Sequence, residues 1–213
     1  GARHIVVGLG GSATTDGGLG ALKAMAPLPR FRGIDLEVAC DVTTLFADAA
    51  SVFGPQKGAS PAQIALLTRR LDRLAEIYQR EHGVAVGALM RSGAAGGLGG
   101  GLAAVGATLR DGFELISEEV DLYGQIEAVD LVVTGEGALD NTSFEGKVVG
   151  GVLRLAEAAG VAVVAVVGST APTRKRDWPI EVIDLSEIYG NARAITEASF
   201  CVTEALSDWL SRR

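Results

Sequence analysis

Apolar residues along the chain follow two patterns, and each pattern predicts a different kind of element. Short apolar or alternating runs are typical of buried strands; they lie at residues 4–8, 34–40, 130–134, 161–167 and 181–185. Apolar residues that recur every three or four positions predict helices; these stretches are 19–25, 60–82, 114–125, 148–159 and 198–210. Strand and helix alternate through the second half, which favours parallel strands joined by right-handed crossovers. We therefore expect an α/β fold.

The spacing of these elements also predicts two domains. Long glycine-rich loops separate the elements before residue 126, whereas strands and helices follow one another closely after it. We therefore predict a first α/β domain at residues 1–126, which carries the glycine motifs on the substrate side. A second, Rossmann-like α/β domain is predicted at residues 127–213.

Composition narrows the class of protein. The chain has 213 residues with a net charge of −7 and 29 glycines, and this glycine share is roughly twice the usual one. The negative charge and the lack of a basic stripe argue against nucleic-acid binding. No apolar run reaches the roughly 20 residues that cross a bilayer, and no signal-peptide layout opens the chain, so we expect a cytoplasmic protein without a membrane partner. Cys40 and Cys201 lie far apart in apolar stretches and are expected to be buried thiols.

The first glycine cluster, residues 8–18, follows a predicted strand and precedes a predicted helix. Glycine allows the backbone to approach a ligand closely, and N–H groups at a helix start favour an anion. Ser12, Thr14 and Asp16 strengthen this interpretation, because a turn alone needs neither two hydroxyls nor a carboxylate. We therefore expect the cluster to bind a phosphate or a carboxylate.

Two alternatives for this cluster remain open at the level of sequence. A close helix–strand turn requires glycines for packing alone. The pattern Gly8-x-Gly10-x-x-Ala13 also satisfies the loose dinucleotide fingerprint, with Asp35 or Glu37 as a ribose ligand.

A second loop, residues 135–147, combines acids, hydroxyls and a lysine between a predicted strand and a predicted helix. Glu136 and Asp140 are candidate ligands of Mg²⁺, which proteins usually hold through one or two carboxylates and substrate phosphate oxygens. Lys147 is a candidate for neutralising phosphate charge. The loop is not a Walker A motif, because Asn141 and Val148 stand where that motif has Gly and Ser or Thr. A solvated loop with a helix cap at Ser143 is the alternative.

Two further segments carry candidate chemistry. Asp41 follows a predicted strand at its carboxyl end, where open α/β sheets bind ligands. Lys57 lies between turn-forming residues in Phe53-Gly54-Pro55-Gln56-Lys57-Gly58, so it either faces a cleft or belongs to a surface turn. The glycine-rich segment 93–101 offers only backbone donors or close packing.

These segments together resemble a known family. The chain contains Gly-Gly-Ser-Ala-Thr-Thr-Asp-Gly-Gly at 10–18, Phe-Gly-Pro-Gln-Lys-Gly-Ala at 53–59, Gly-Ala-Ala-Gly-Gly-Leu-Gly at 93–99 and a Thr-Gly-Glu-Gly segment that runs to Gly-Lys at 134–147. Four motifs in this order resemble the bacterial glycerate kinase family, and the resemblance extends from residue 3 to about residue 168.

The resemblance implies an activity and a set of site residues. Members phosphorylate D-glycerate with ATP and Mg²⁺ to give 2- or 3-phosphoglycerate, in a three-layer α/β/α fold of two domains with a cleft between them. The catalytic residues would be Asp41, Asp16 and Lys147, and Glu136 and Asp140 would hold the metal. Substrate or phosphate would be bound by Gly10, Gly11, Ser12, Thr14, Lys57, Gly96, Gly97 and Ser143. The expected partners are D-glycerate and ATP, in a monomer or a homodimer.

The chain also departs from the family pattern. Members begin with a strand followed by Asp-Ser-Phe-Lys-Gly-Ser, which this chain lacks, so we expect a preceding segment to complete the second domain. The stretch between the first glycine cluster and Ile34 is also shorter, with a break in the helical pattern near Pro27–Phe31. Two other classes of function remain, an NAD(P)-dependent oxidoreductase that uses Gly8–Ala13 and a non-catalytic anion-binding module.

Overall fold

The chain forms two compact units that each contain a parallel sheet. The computed structural model describes residues 1–31, 33–144, 148–171 and 178–213, and the units comprise Gly1–Ile116 and Ser117–Arg213. The α/β fold with parallel sheets that the sequence predicts is confirmed. The division falls earlier than the predicted boundary at residue 126, because the helix at Leu122–Glu127 packs against the helix at Val148–Ala159.

The first unit is built on a sheet in the order β1-β2-β3. Its strands are β1 (His4–Leu9), β2 (Asp35–Cys40) and β3 (Thr108–Asp111). Its helices are α1 (Leu19–Met25), α2 (Ala49–Phe53), α3 (Pro61–His82), α4 (Ala94–Ala104) and α5 (Gly112–Glu119), of which α5 runs across the division. Leu9 pairs with Cys40 and Cys40 with Asp111, so the three strands end side by side. The loops that follow them are thereby brought to one edge.

The long helix α3 begins at a capping box. Ser60 Oγ accepts the N–H of Gln63 at 3.3 Å, while Gln63 Oε1 accepts the N–H of Ser60 at 2.8 Å. Leu71, Leu74 and Tyr78 form its buried stripe, as 3.6-residue periodicity requires. Tyr78 adds a polar contact, because its hydroxyl donates to the carbonyl of Gly17 at 3.0 Å, and burial raises the pKa of this hydroxyl to about 12. The helix therefore supports the first glycine cluster directly.

The glycine-rich segments make room for one aromatic ring. Phe46 is fully buried, and a Cβ at Gly17 would stand 2.8 Å from its ring, while a Cβ at Gly100 would overlap it. A Cβ at Gly97 would lie 3.1 Å from the same ring. Close packing therefore accounts for the lack of a side chain at these three positions, and the binding role of Gly97 stays a prediction.

The second unit is built on a sheet in the order β4-β5-β6, and all neighbours are parallel. Its strands are β4 (Leu131–Leu139), β5 (Ala162–Thr170) and β6 (Glu181–Asp184). Its helices are α6 (Leu122–Glu127), α7 (Val148–Ala159), α8 (Leu185–Tyr189), α9 (Asn191–Thr196) and α10 (Ala198–Ser211). The predicted helix at 114–125 is thus two helices, because Asp121 takes a positive φ of 48° and its carboxylate accepts the N–H of Gly124.

Asp184 holds the carboxyl edge of the second sheet together. Oδ2 accepts hydrogen bonds from the N–H and hydroxyl of Thr170 at 3.0 and 2.7 Å. Oδ1 accepts the N–H and hydroxyl of Ser186 at 2.9 and 2.6 Å, and the N–H of Glu187 at 3.2 Å. Burial alone would raise the pKa of Asp184, but the hydrogen bonds from Ser186 and Thr170 outweigh it and lower the pKa.

Replacing Asp184 with alanine is expected to lower the free energy of unfolding of the second unit by about 2 kcal/mol, since half-buried donors of Thr170 and Ser186 lose their acceptor. Asp184→Asn keeps one acceptor oxygen and should lose less. Because folding lowers the pKa, the stabilisation is present above the ordinary aspartate pKa and is lost as the pH falls through the folded-state value. Urea denaturation followed by tryptophan fluorescence measures this, since Trp178 and Trp209 both lie in the second unit. Equal midpoints for Asp184→Ala and an exposed control, Asp208→Ala, would contradict the assignment.

The structure also bears on the two cysteines and on the question of membrane-spanning helices. Cys40 and Cys201 are buried free thiols, as predicted, and burial raises the pKa of Cys40 to about 11. Among the described residues, none of the helices combines the length and apolar character needed to span a membrane.

Candidate functional site

A pocket of about 180 Å³ lies where β1 and β2 end. Its walls come from the loop after β1, the residues after β2, the segment after α2 and the start of α4. The lining residues are Leu9, Gly10, Gly11, Ser12, Asp41, Val42, Phe53, Gln56, Lys57, Ala95 and Gly96. Six of them, Gly10, Gly11, Ser12, Asp41, Lys57 and Gly96, are candidates that the sequence nominates. The fold thus brings residues from four separate segments to the carboxyl edge of the sheet, where parallel sheets bind ligands.

Lys57 supplies the positive charge of this pocket. It ends a short 3-10 helix, Pro55–Lys57, and its Nζ donates to Ser12 Oγ at 2.9 Å and to the Thr14 carbonyl at 2.7 Å. Both acceptors are neutral, and Lys57 forms no ion pair with any carboxylate of the described ranges. Burial lowers the pKa of its ammonium group. A partly desolvated cation without a carboxylate partner is suited to an anionic ligand.

Asp41 supplies a carboxylate on the same pocket. It is the first residue after β2, and its side chain is exposed to the pocket and to solvent. Within the described part of the chain it neither accepts a hydrogen bond nor forms an ion pair. Its oxygens are therefore available to accept a hydroxyl proton from a ligand.

Backbone N–H groups complete the set of donors. The amides of residues 11–14 and of Ala95 donate to no protein acceptor within the described residues. Ala95 has φ and ψ of 51° and 45°, and Gly96 has 71° and 28°. The change from the helical Ala94 to the left-handed Ala95 resembles the αR–αL turns whose successive N–H groups form anion-binding concavities. The sequence analysis predicts a binding role for Gly96 but not for Ala95. The position of Ala95 within a glycine-rich segment is the only feature of the sequence that could have indicated one.

Gly96 and Gly11 of the pocket differ in whether the fold leaves room for a side chain. At Gly96 the φ is positive and a Cβ would overlap the carbonyl oxygen of Thr14, whereas a Cβ at Gly11 would have no atom within 4 Å. Gly97 also has a positive φ, of 91°, and packs on Gly17. Gly96 and Gly97 are therefore required by the fold, while Gly11 leaves open space next to the backbone.

We expect Gly96→Ala to lower the free energy of unfolding by about 3 kcal/mol or more, because it combines an unfavourable φ with a backbone overlap. Gly11→Ala should leave the stability within about 0.5 kcal/mol of the parent, and it places a methyl group in the space that a ligand would use. Thermal denaturation followed by circular dichroism compares the two variants. A Gly96→Ala protein as stable as Gly11→Ala would show that this turn is not constrained as described.

Both carboxylate oxygens of Asp16 accept hydrogen bonds from backbone N–H groups. Its Oδ1 accepts the N–H of Gly18 at 3.0 Å and its Oδ2 accepts the N–H of Gly20 at 2.9 Å. Both oxygens thus cap the start of α1, and Asp16 does not line the pocket. Its catalytic role stays a prediction, and Asp41 is the better candidate for the base.

The dinucleotide alternative conflicts with the geometry. In that fingerprint the third small residue opens a helix, but α1 begins at Leu19, well after Ala13. Asp35 is the first residue of β2, and at about 3.3 Å per residue it lies roughly 17 Å from the carboxyl end of the strand, where a ribose would be bound. Glu37 accepts hydrogen bonds from His4 and Arg110, so its carboxylate is already paired.

The last part of β4 and the turn that follows it contain the other candidate residues. Glu136 Oε1 is buried and has no hydrogen-bond partner among the described residues, so it is free to receive a cation or a proton donor. Asp140 Oδ1 accepts the N–H and hydroxyl of Thr142 at 2.8 and 2.6 Å. Ser143 is fully buried, and its Oγ accepts the N–H of Asp140 at 3.0 Å; a phosphate could reach it only if this turn opened. Lys147 lies outside the described residues.

Comparison with known proteins identifies the family. The model of the glycerate kinase family matches residues 1–28 and 26–210. The chain belongs to the glycerate kinase family. The two matched segments overlap at residues 26–28, within the connection between the first glycine cluster and β2.

Individual glycerate kinase relatives support this assignment. The chain is 36% identical to a glycerate 2-kinase of Escherichia coli K12 and 37% identical to a glycerate kinase of Halalkalibacterium halodurans, each over 201 residues that cover 79% of this chain. A crystal structure assigned to glycerate kinase 2 of Salmonella typhimurium LT2 superimposes with a TM-score of 0.71 at 31% identity, covering 99% of this chain. The chain spans 53% of each of those two curated relatives and 65% of the Salmonella chain.

Proposed function

We propose that the protein transfers a phosphoryl group from ATP to a hydroxyl of D-glycerate, and that the pocket of the first unit holds the acid. The observation that carries this proposal is Lys57, a partly buried cation whose acceptors are both neutral. Family membership supports the reaction class, since the curated relatives bear the name glycerate kinase.

The size of the pocket supports a small acid in it. Its volume of about 180 Å³ lies below the roughly 300–1,000 Å³ that is usual for drug-sized ligands. A three-carbon hydroxy acid suits this volume, whereas a whole nucleotide does not. We therefore assign the acceptor, and not ATP, to this pocket.

The lining residues provide partners for the carboxylate and for the reacting hydroxyl of glycerate. The carboxylate pairs with Lys57 Nζ and with amides of the loop 11–14. The hydroxyl that receives the phosphoryl group donates to Asp41, which takes its proton as the new O–P bond forms and the bond to the ADP oxygen breaks. Positioning and charge neutralisation supply most of the catalysis in phosphoryl transfer, so the fixed position of Lys57 on the glycine loop is as important as its charge.

The residues of the second unit fit a role in binding metal and nucleotide. Glu136 has a buried oxygen without a hydrogen-bond partner in the described part of the chain, and Asp140 follows four residues later, directly after β4. We propose that they hold Mg²⁺, directly or through its waters, and that Lys147 meets phosphate. When bound, Mg²⁺ would neutralise charge on the phosphate oxygens. Ser143 then acts by holding the turn that presents Asp140.

An assay of ADP release tests the proposed reaction. We expect ADP release in the presence of ATP, Mg²⁺ and D-glycerate, and no release when glycerol or lactate replaces D-glycerate. Glycerol lacks the carboxylate, and lactate lacks one of the two hydroxyls. Phosphorus NMR of the product distinguishes 2-phosphoglycerate from 3-phosphoglycerate. Binding of NAD without binding of ATP would favour an oxidoreductase instead, and anion binding without turnover would favour a non-catalytic module.

A further inference from the structure

Arg91 occupies an unusual backbone conformation beside the pocket. It has a φ of 71°, and Ala95 has 51°. Among the described residues only one other non-glycine residue has a positive φ, Asp121 of the second unit. L-residues with a side chain avoid this region because Cβ crowds the backbone carbonyl. Such conformations persist where surrounding contacts impose them, often near functional sites.

The side chain of Arg91 makes a contact that explains why this conformation is kept. Its Nη2 donates to Asp111 Oδ2 at 2.9 Å, and both side chains are largely buried, at 17% and 20% exposed. Asp111 is the last residue of β3, and its Oδ1 accepts the N–H groups of Phe113 and Glu114 at 3.0 and 3.2 Å. Asp111 is thus fixed by the start of α5. The ion pair therefore ties residue 91 to a rigid part of the sheet edge.

The backbone of Arg91 links this anchor to both walls of the pocket. Its N–H donates to the carbonyl of Thr43, two residues beyond Asp41, at 3.3 Å. Its carbonyl accepts the N–H of Ala94 at 3.0 Å, which begins the turn that contains Ala95 and Gly96. Gly96 in turn accepts the N–H of Gly17 in the first glycine cluster at 3.1 Å. Through these bonds, residue 91 holds the turn in register with the segment after β2.

We propose that Arg91 is a positioning residue for the acid pocket. Its ion pair with Asp111 holds the turn 91–97, and with it the free N–H of Ala95, at the distance from Asp41 and Lys57 that a small hydroxy acid requires. This inference rests on the proposed function only for the identity of the ligand. The positioning itself is a property of the first unit and has its own readout.

Three variants separate positioning from stability. Arg91→Gly removes the ion pair but suits a positive φ, so the relief of backbone strain offsets part of the stability that the ion pair contributes, and circular dichroism verifies that the variant is folded. Its KM for D-glycerate should rise about tenfold because the displaced turn no longer presents its N–H groups to the acid, whereas KM for ATP should change less. Arg91→Lys keeps the positive charge and should restore KM to within about threefold of the parent. Arg80→Gln removes an exposed arginine of α3 and serves as the control that leaves both constants unchanged.

Amide hydrogen exchange gives the second readout, which does not depend on the reaction. The amides of Gly97 and Gly17, bonded to Gly93 and Gly96 at 3.1 Å each, should exchange faster in Arg91→Gly than in the parent or in Arg80→Gln. Unchanged exchange, or an unchanged KM for D-glycerate in an active parent, would overturn the positioning role. A parent that does not phosphorylate D-glycerate would instead refute the proposed function, and the exchange rates would still decide the role of Arg91.

Discussion

Replacing Lys57 with methionine is expected to lower kcat/KM for D-glycerate by about 100-fold. The change removes the charged group that pairs with the carboxylate while it keeps a side chain of similar length. A charge-assisted hydrogen bond contributes about 1.5–3 kcal/mol, and loss of charge neutralisation in the transition state adds to this value. Steady-state kinetics with varied D-glycerate and saturating ATP measure the effect.

The control for this variant is Lys23→Met, an exposed lysine in the last turn of α1 that should keep the parent kinetics. The pH dependence gives a further check. Because burial lowers the pKa of Lys57, its ammonium group loses its proton at a lower pH than an ordinary lysine does. KM for D-glycerate should therefore rise on the alkaline side in the parent, and this rise should be absent in Lys57→Met. Equal kcat/KM values for Lys57→Met and Lys23→Met would exclude a role for Lys57 in binding D-glycerate.

Replacing Asp41 with asparagine is expected to lower kcat by a factor of 10² to 10⁴, the usual contribution of a general base. Asparagine keeps the size of the side chain and a hydrogen-bond acceptor, so KM for D-glycerate should change much less than kcat. Single-turnover measurement of ADP formation at saturating D-glycerate reports the chemical step directly. A loss of less than about tenfold would exclude Asp41 as the base.

Asp48→Asn is the matched control for Asp41. Asp48 is exposed and precedes α2, where its side chain makes no capping hydrogen bond. It should keep the parent kcat. If Asp41→Asn keeps its kcat, Asp16→Asn becomes the next variant to measure, although a loss of stability is expected there because both oxygens cap α1.

Much of the fold could be predicted from local pattern. The strands at 4–9 and 35–40 and the helix at 61–82 follow from apolar runs, periodicity and the capping sequence Ser-Pro-Ala-Gln. The strand β3 was not predicted, because its four residues Thr108–Asp111 include three polar ones and carry no alternating apolar pattern. Its place beside β2 comes from tertiary pairing, which a local pattern does not contain.

The sequence predicted which residues form the candidate site better than it predicted the contacts that they make. Motif composition pointed to Lys57, Asp41 and the glycine loop, and the fold places all of them on one pocket. The sequence could not show that Asp16 caps a helix, since an Asp before two glycines serves either role. It also gave no sign of Arg91, because the positive φ and the bond to Asp111 depend on residues twenty positions apart.

The most direct test of the account is a titration of D-glycerate into the protein without nucleotide, followed by the backbone amide signals in an NMR spectrum. The account predicts saturable shifts of the signals of residues 11–14 and Ala95, which are lost in Lys57→Met and kept in Lys23→Met. Saturable shifts confined to other residues, or the same shifts in Lys57→Met, would contradict the assignment of the acid to this pocket.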